Sequence, residues 1–263
     1  MYIGAPKNWQ TRLQKAASPA MKRTIQLTQF TNLVLLPIAV VVPIAIIALC
    51  IRYNASKNTK WKHINQSVWI EMLWTVVPIA ILTGICVPSL KALRYQINQK
   101  RKASAVVKVT AHQWRWNYEY SFGNKQIKYD SNILDESLRS KLNKTNLKSY
   151  PKLFAVDYEL VVPTKRVIKL LITSADVIHA FAVPSLGIKV DAVPGKVNSA
   201  WIKATRDGIY YGQCSEFCGK GHAYMPIAIR AVDQNGFEKW IKAAGVNVSK
   251  AFMVLRSKAL ANG

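Results

Sequence analysis

Carboxylates are scarce in this chain: 13 Asp and Glu stand against 37 Lys and Arg, leaving a formal net charge of +24 over 263 residues. That balance excludes an ordinary near-neutral cytosolic domain. Cysteine is scarce as well, and four residues are too few for a disulfide scaffold. There is no internal repeat. The first 30 residues lack the apolar stretch of a cleavable signal peptide, so either processing has already occurred or the first apolar run itself directs insertion. What the chain has in quantity is apolar surface, with 50% hydrophobic and 10% aromatic residues. That excludes a disordered basic tail, and the length suits one to two folded units.

A basic chain points to nucleic acid or to anionic lipid. The places where charge is missing decide for the membrane and against nucleic acid. No charged residue lies between Arg23 and Arg52, and the 19 residues 33–51 (LVLLPIAVVVPIAIIALCI) carry no polar side chain apart from one thiol. At 1.5 Å per residue these make a helix of about 28 Å, the thickness of a bilayer's hydrocarbon core. A second run, MLWTVVPIAILTGICVPSL, is equally free of charge between Glu71 and Lys91. Two transmembrane helices are expected, at about 31–52 and 70–91, within a hairpin over 31–91 that follows an extramembrane segment 1–30. Pro37, Pro43, Pro78 and Pro88 are tolerable in such helices because neighbouring groups re-satisfy the backbone. Cys50 and Cys86, inside the apolar runs, read as small core hydrophobes. Basic residues flank both runs: Lys22 and Arg23 before the first, Arg52, Lys57, Lys60 and Lys62 between them, and Lys91, Arg94, Lys100, Arg101 and Lys102 after the second. The positive-inside rule is therefore nearly silent.

After Lys102 the pattern changes to short runs of strand character at 105–110, 113–120, 153–162, 166–173, 198–205, 208–213 and 226–232, punctuated by Gly, Pro, Asn and Asp. An all-β sandwich or barrel is expected over 103–263. The Lys- and Asn-rich stretch 129–152 reads as a surface excursion with a short helix near 134–142, and 237–244 as a C-terminal helix. The whole of 103–263 holds 23 basic and 12 acidic residues, so the water-exposed part is itself net basic.

The chemistry concentrates in one loop, C-S-E-F-C-G-K-G-H-A-Y-M, which places Cys214, Cys218, His222 and Met225 within twelve residues. Two thiols, an imidazole and a thioether form a soft donor set that favours copper over magnesium or calcium. Gly219 and Gly221 allow the tight turn. A second thiolate lets a pair of sulfurs bridge two copper ions, and His179, just after a strand, is the best candidate for a further imidazole. Structural zinc, a Cys214–Cys218 disulfide and an ordinary hairpin are the competing readings; zinc leaves Met225 without a role. On the 113–120 run, Trp114, Trp116, Tyr118 and Tyr120 alternate with polar residues and line one face.

The two-span anchor, the H-Q-W-x-W segment, P-S-L-G-I-K-V-D-A-V-P-G-K and Y-Y-G-Q-C-S-E-F-C-G-K-G-H-A-Y-M-P together resemble subunit 2 of cytochrome c oxidase. The early I-G-A-P and Q-K-A-A-S-P are similar to the mature N-terminus of its bacterial and mitochondrial members. The resemblance implies a two-helix transmembrane hairpin followed by an all-β, cupredoxin-like Greek-key barrel in the periplasm or intermembrane space, with both termini on that side of a bacterial or mitochondrial inner membrane. It implies a binuclear CuA centre held by His179, Cys214, the Glu216 backbone carbonyl, Cys218, His222 and Met225. Such a centre accepts electrons from cytochrome c and passes them to haem in subunit 1, where oxygen is reduced to water with proton pumping; subunits 1 and 3 and membrane lipid are the implied partners. The Glu216 side chain matches a magnesium ligand at the boundary with subunit 1, Glu71 a carboxylate at the mouth of a proton channel, and Trp114 the point where electrons arrive. Trp116 is left as core or copper-adjacent packing. Glu119, Asp157 and Asp176 match acidic positions for docking the donor. A local acidic face beside Trp114 is therefore expected to draw in a basic cytochrome c against the domain's net charge, although Ser121, Phe122, Gly123 and Asn124 follow the aromatic strand. Two other classes compete: a copper-free structural subunit of a quinol oxidase, which would lack these thiolates and imidazoles, and a membrane-tethered copper-delivery protein, which would not need Glu71.

Overall fold

A computed structural model describes residues 2–5, 7–56, 66–98, 102–122 and 125–261. Lys57, Lys60 and Lys62 of the connector, Lys100, Arg101, and Gly123 and Asn124 lie outside the described residues. The chain forms two compact units, one of residues Arg23–Tyr95 and one of Met1–Lys22 with Gln96–Gly263.

The first unit is built on helices α1 (Pro19–Arg52, apart from its first turn) and α2 (Val68–Ile97, as far as Tyr95). Both are long and apolar enough to cross a membrane. Pro37 and Pro43 lie inside α1, Pro78 and Pro88 inside α2. Thr75 and Thr83 turn their hydroxyls back onto the carbonyls of Glu71 and Ile79, at 2.8 Å each, so these polar side chains spend their donors inside the helix. Glu71 sits in the first turn of α2, where a carboxylate complements the helix dipole. Cys50 and Cys86 are exposed rather than core residues, because each helix presents its apolar side chains outward.

The second unit is a sandwich of two curled sheets. Its strands are β1 (Tyr2–Ile3), β2 (Ala105–His112), β3 (Arg115–Phe122), β4 (Lys125–Ser131), β5 (Leu160–Pro163), β6 (Ile168–Ser174), β7 (His179–Val183), β8 (Ile188–Ala192), β9 (Asn198–Ile202), β10 (Gly208–Cys214) and β11 (Pro226–Val232). One sheet runs β5-β11-β10-β7-β8, with β1 added in parallel to β10; the other runs β4-β3-β2-β6-β9. The inward face of β3 forms the centre of the core, where Trp116, Tyr118 and Tyr120 are fully buried. Tyr120 meets Trp240 edge-on at 5.3 Å. Trp240 comes from helix α4 (Gln234–Ala244), whose start is capped by the Asp233 carboxylate accepting from the Gly236 N–H.

Several expected boundaries move. Of the run 153–162 only its end is strand, because residues 153–159 spend their backbone groups on turns and on an isolated bridge between Ile133 and Val156. Strand β4 occupies the first residues of the expected excursion, and the short helix narrows to α3 (Glu136–Lys141). Strands β7 and β8 and the last helix, α5 (Val248–Ala261), are additions.

The excursion is also pinned to the core. Lys144 is fully buried, and its Nζ donates to the carbonyls of Val156 (2.7 Å) and Asp157 (2.9 Å) and to Glu159 Oε1 (2.7 Å). Arg230 reaches the same oxygen at 3.0 Å. Burial works against the Glu159 charge, but Arg230 and Lys144 outweigh it and hold the carboxyl down at about 2.

Candidate metal centre

Two neighbouring antiparallel strands deliver the first ligands. Strand β7 begins at His179, β10 ends at Cys214, and the register pairs Cys214 with Phe181. Gly212 makes this pairing possible, since any side chain there would collide with the Ala182 carbonyl. The chain then turns through Gly219, whose φ of +105° suits glycine alone, into a short 3-10 turn at His222–Tyr224, and Met225 closes the loop before β11.

This path brings the soft donors together. Cys214 Sγ lies 3.9 Å from His179 Nδ1 and 3.9 Å from Cys218 Sγ; Cys218 Sγ lies 3.5 Å from both His222 Nδ1 and Met225 Sδ. The Glu216 carbonyl oxygen is 3.3 Å from Cys214 Sγ, while the Glu216 residue itself is exposed. His179, Cys214, Cys218 and Met225 are buried. A 3.9 Å separation of free thiols is far from the roughly 2.05 Å of a disulfide. Two thiols, two imidazole nitrogens, a thioether and a carbonyl converge in an apolar shell, a donor set that fits copper. A four-ligand zinc site would leave the buried Met225 sulfur without a partner of its own.

The thiol pair is electrostatically asymmetric. Burial opposes ionisation of Cys214, but hydrogen bonding from His179 and from the backbone at Glu216 and Ala180 pulls it down to about 6. Burial and the neighbouring Cys214 push Cys218 up to about 12. The pair therefore gives up one proton readily and the second with difficulty, and a bound cation would have to displace that second proton. Burial disfavours protonation of His179, yet its hydrogen bonds to Cys214 and Asp176 win and raise it.

Around the donors lies a supporting layer. His179 Nε2 is 2.8 Å from Asp176 Oδ1, and the other Asp176 oxygen accepts from the Gln113 N–H at 2.7 Å. A carboxylate in this position fixes the ring orientation and tautomer of a ligating histidine. The Trp114 Nε1–H and the Gln113 side-chain amide both donate to the Cys218 carbonyl, at 3.1 and 3.0 Å. The Trp114 ring lies flat over Gly221, where a side chain would strike it. Trp116 stands edge-on to His179 at 6.2 Å and donates to the Met225 carbonyl at 3.3 Å, so it is both core and ligand-adjacent.

The expected docking carboxylates do not form one face. Asp157 is buried, with its oxygens accepting from Asn132 and from the Tyr158 N–H, and is not a surface group. Glu119, on β3, is largely covered and lies between Lys128 (3.1 Å) and Lys108 (3.7 Å). Asp176 is turned to His179. Trp114 also departs from the expected stripe: it precedes β3 and is half-buried beside the loop, whereas Trp116, Tyr118 and Tyr120 face the core. Glu71 belongs to the helical unit. Sequence reasoning missed Gln113 altogether and gave Asp176 a surface role; its spacing three residues before His179 was the available signal.

Comparison with known proteins gives a consistent picture. The family profile described as cytochrome C oxidase subunit II, periplasmic domain, matches residues 105–232, and that of its transmembrane domain matches residues 6–92. The probable cytochrome c oxidase subunit 2 of Rickettsia bellii is 39% identical over 91% of this chain and 86% of its own length. The cytochrome c oxidase subunit 2 of Mycosarcoma maydis is 39% identical over 92% of this chain and 93% of its own. Among solved structures, the periplasmic domain of subunit II of cytochrome oxidase of Bradyrhizobium japonicum is 44% identical with a TM-score of 0.48, covering 55% of this chain and 95% of that one.

Proposed function

Because the chain belongs to the cytochrome c oxidase subunit II family, we propose that His179, Cys214, the Glu216 carbonyl, Cys218, His222 and Met225 hold its two-copper CuA centre. The chain is a membrane-anchored subunit of an oxidoreductase complex with an electron-transfer role. In this reading it takes electrons from cytochrome c, with Trp114 as the point of arrival, and hands them to haem in subunit 1, where oxygen is reduced with proton pumping. The observation that carries the reading is the convergence of two thiols, two imidazoles and a thioether, linked by successive contacts of 3.5–3.9 Å from His179 through Cys214 and Cys218 to His222 and Met225.

Copper, when bound, supplies a one-electron couple that suits single-electron delivery. The residues supply the rest. Strands β7 and β10 fix His179 and Cys214 on a hydrogen-bonded framework, which limits movement of the ligands as charge changes. Trp116 and the surrounding core exclude water. Asp176 holds the His179 ring, and the Trp114 indole reaches the centre through one hydrogen bond to the Cys218 carbonyl. That link is a short route for an electron between a half-exposed ring and a ligand backbone.

The finer assignments complete the proposal. Residues 31–91 form the membrane hairpin and 103–263 the domain facing the periplasm or intermembrane space, with both termini on that side of a bacterial or mitochondrial inner membrane and subunits 1 and 3 and lipid around the anchor. The Glu216 side chain serves a magnesium ion at the boundary with subunit 1. Glu71 lies at the mouth of a proton channel: Glu71→Gln should slow turnover of the assembled complex while copper reduction proceeds normally, and unchanged turnover would return Glu71 to a helix-end charge. Metal analysis of the full-length chain in detergent tests the centre itself. Two coppers per chain, falling to at most one in Cys218→Ser, are expected; zinc taken up in preference to copper would overturn the assignment.

A further inference from the structure

We propose that the cleft between α1 and α2, at the end of the hairpin from which the chain continues into the sandwich, binds the headgroup of an anionic phospholipid. The inference deepens the reading of 31–91 as a membrane hairpin and is independent of the copper assignment. Three observations carry it. First, the helical unit contains the cleft: about 230 Å³, lined by Arg23, Leu27 and Phe30 of α1 and by Pro88, Lys91 and Ala92 of α2. Second, its two cations have no internal counter-charge. Neither Arg23 nor Lys91 makes an ion pair among the described residues, and Arg23 stacks on the Tyr95 ring at 4.0 Å instead. Glu71, the lone acidic residue before Lys102, lies near the opposite end of α2, about 30 Å of helix away from Lys91. Third, polarity is graded as in an amphiphile. Arg23 and Lys91 are the charges at which the two charge-free runs stop, so they mark a boundary between hydrocarbon and water. Leu27 and Phe30 lie about one and two turns deeper along α1, and Pro88 about one turn deeper along α2.

A phosphate at the mouth of this cleft meets the guanidinium fork of Arg23 and the ammonium of Lys91, two groups suited to its oxygens. The acyl chains then continue along Leu27, Phe30 and Pro88, an apolar wall that a soluble anion would leave uncovered. A zwitterionic headgroup brings a cation of its own, which Arg23 and Lys91 repel, so the site selects net negative charge.

Native mass spectrometry of the full-length chain tests the site, after incubation in neutral detergent with equal amounts of phosphatidylglycerol and phosphatidylcholine of the same acyl chains. The chain should retain phosphatidylglycerol about 10- to 30-fold better than phosphatidylcholine, each cation supplying about fivefold. Arg23→Gln and Lys91→Gln should each cut that preference about fivefold and together bring it near parity, whereas Arg23→Lys should keep most of it. Ala92→Leu narrows the cleft without touching its charge and should lower retention. Arg52→Gln removes an equal charge at the other end of α1 and should change nothing. Unchanged retention in Ala92→Leu, an Arg52→Gln variant as impaired as Arg23→Gln, or displacement of the lipid by glycerol phosphate alone would overturn the proposal. In the assembled oxidase the anionic lipid should stay with the complex. A wild-type complex without it that sheds a partner subunit in the double variant would assign the two cations to a protein carboxylate instead. Retention of neither lipid by the full-length chain would overturn the site and the hairpin reading together, and equal retention of both would overturn the site alone.

Discussion

At the scale of single residues, Asp176 changes meaning between sequence and structure. An aspartate beside a candidate electron-transfer tryptophan reads as a docking charge, yet its carboxylate spans from His179 Nε2 to the Gln113 N–H. Asp176→Asn should therefore lower copper affinity about 10- to 100-fold, the usual cost of losing such a support, which a competition titration with a chelator would measure. A pure docking residue would change donor affinity and leave copper retention alone. The loop ligands were legible because Cys214, Cys218, His222 and Met225 fall within twelve residues. His179 was reachable only by pairing a distant histidine with a strand end. The burial of Asp157 was not legible, since its main side-chain partner, Asn132, lies 25 positions away. The Lys144–Glu159–Arg230 cluster was equally hidden in a stretch whose composition suggests surface. Its pH signature is specific: the Glu159 carboxyl is held at about 2, below its ordinary 4.5. A depressed carboxylate contributes stability above the unfolded value and loses it as pH falls through the folded one, here between about pH 4.5 and 2. Glu159→Gln should cost about 3–5 kcal/mol near neutrality, because it leaves Lys144 buried without its carboxylate, and should flatten that acid limb; thermal melts across the pH series would show both.

At the scale of elements, alternation made β2 and β6 easy to foresee, and its absence hid β7. Strand β6 reads as a strand because buried and half-buried residues alternate along it, and β2 shows the same rhythm. Strand β7 is buried at all five positions, so HAFAV offers no period of two. That hidden strand matters most for the site, since it carries His179 beside β10 and Cys214. At Gly212 the β10 backbone lies so close to the Ala182 carbonyl of β7 that a side chain has no room. Gly212→Val should push β10 from β7, separate Cys214 from His179 and abolish tight copper binding; a variant that loads copper normally would show that the strand contact does not set the site. The helical anchor was the easiest element to foresee, because two charge-free apolar runs of bilayer length leave few alternatives.

At the scale of the whole molecule, charge and chemistry are divided between the two units. Twelve of the 13 carboxylates lie after Lys102, leaving Glu71 as the lone acidic residue before it. The helices hold the chain in a membrane, the sandwich concentrates soft donors at the end of one sheet, and an excess of lysine covers the exterior. Family membership accounts for the anchor and the donor loop together. The central claim is that the loop and His179 together hold a copper pair that behaves as one one-electron centre. Its most direct test is a reductive coulometric titration of the full-length chain combined with metal counting on the same sample. Two coppers and one electron per chain are expected, because thiolates as close as Cys214 and Cys218 would hold the two ions as a single redox unit. One copper per chain, or two coppers taking up two electrons in separate steps, would contradict the account.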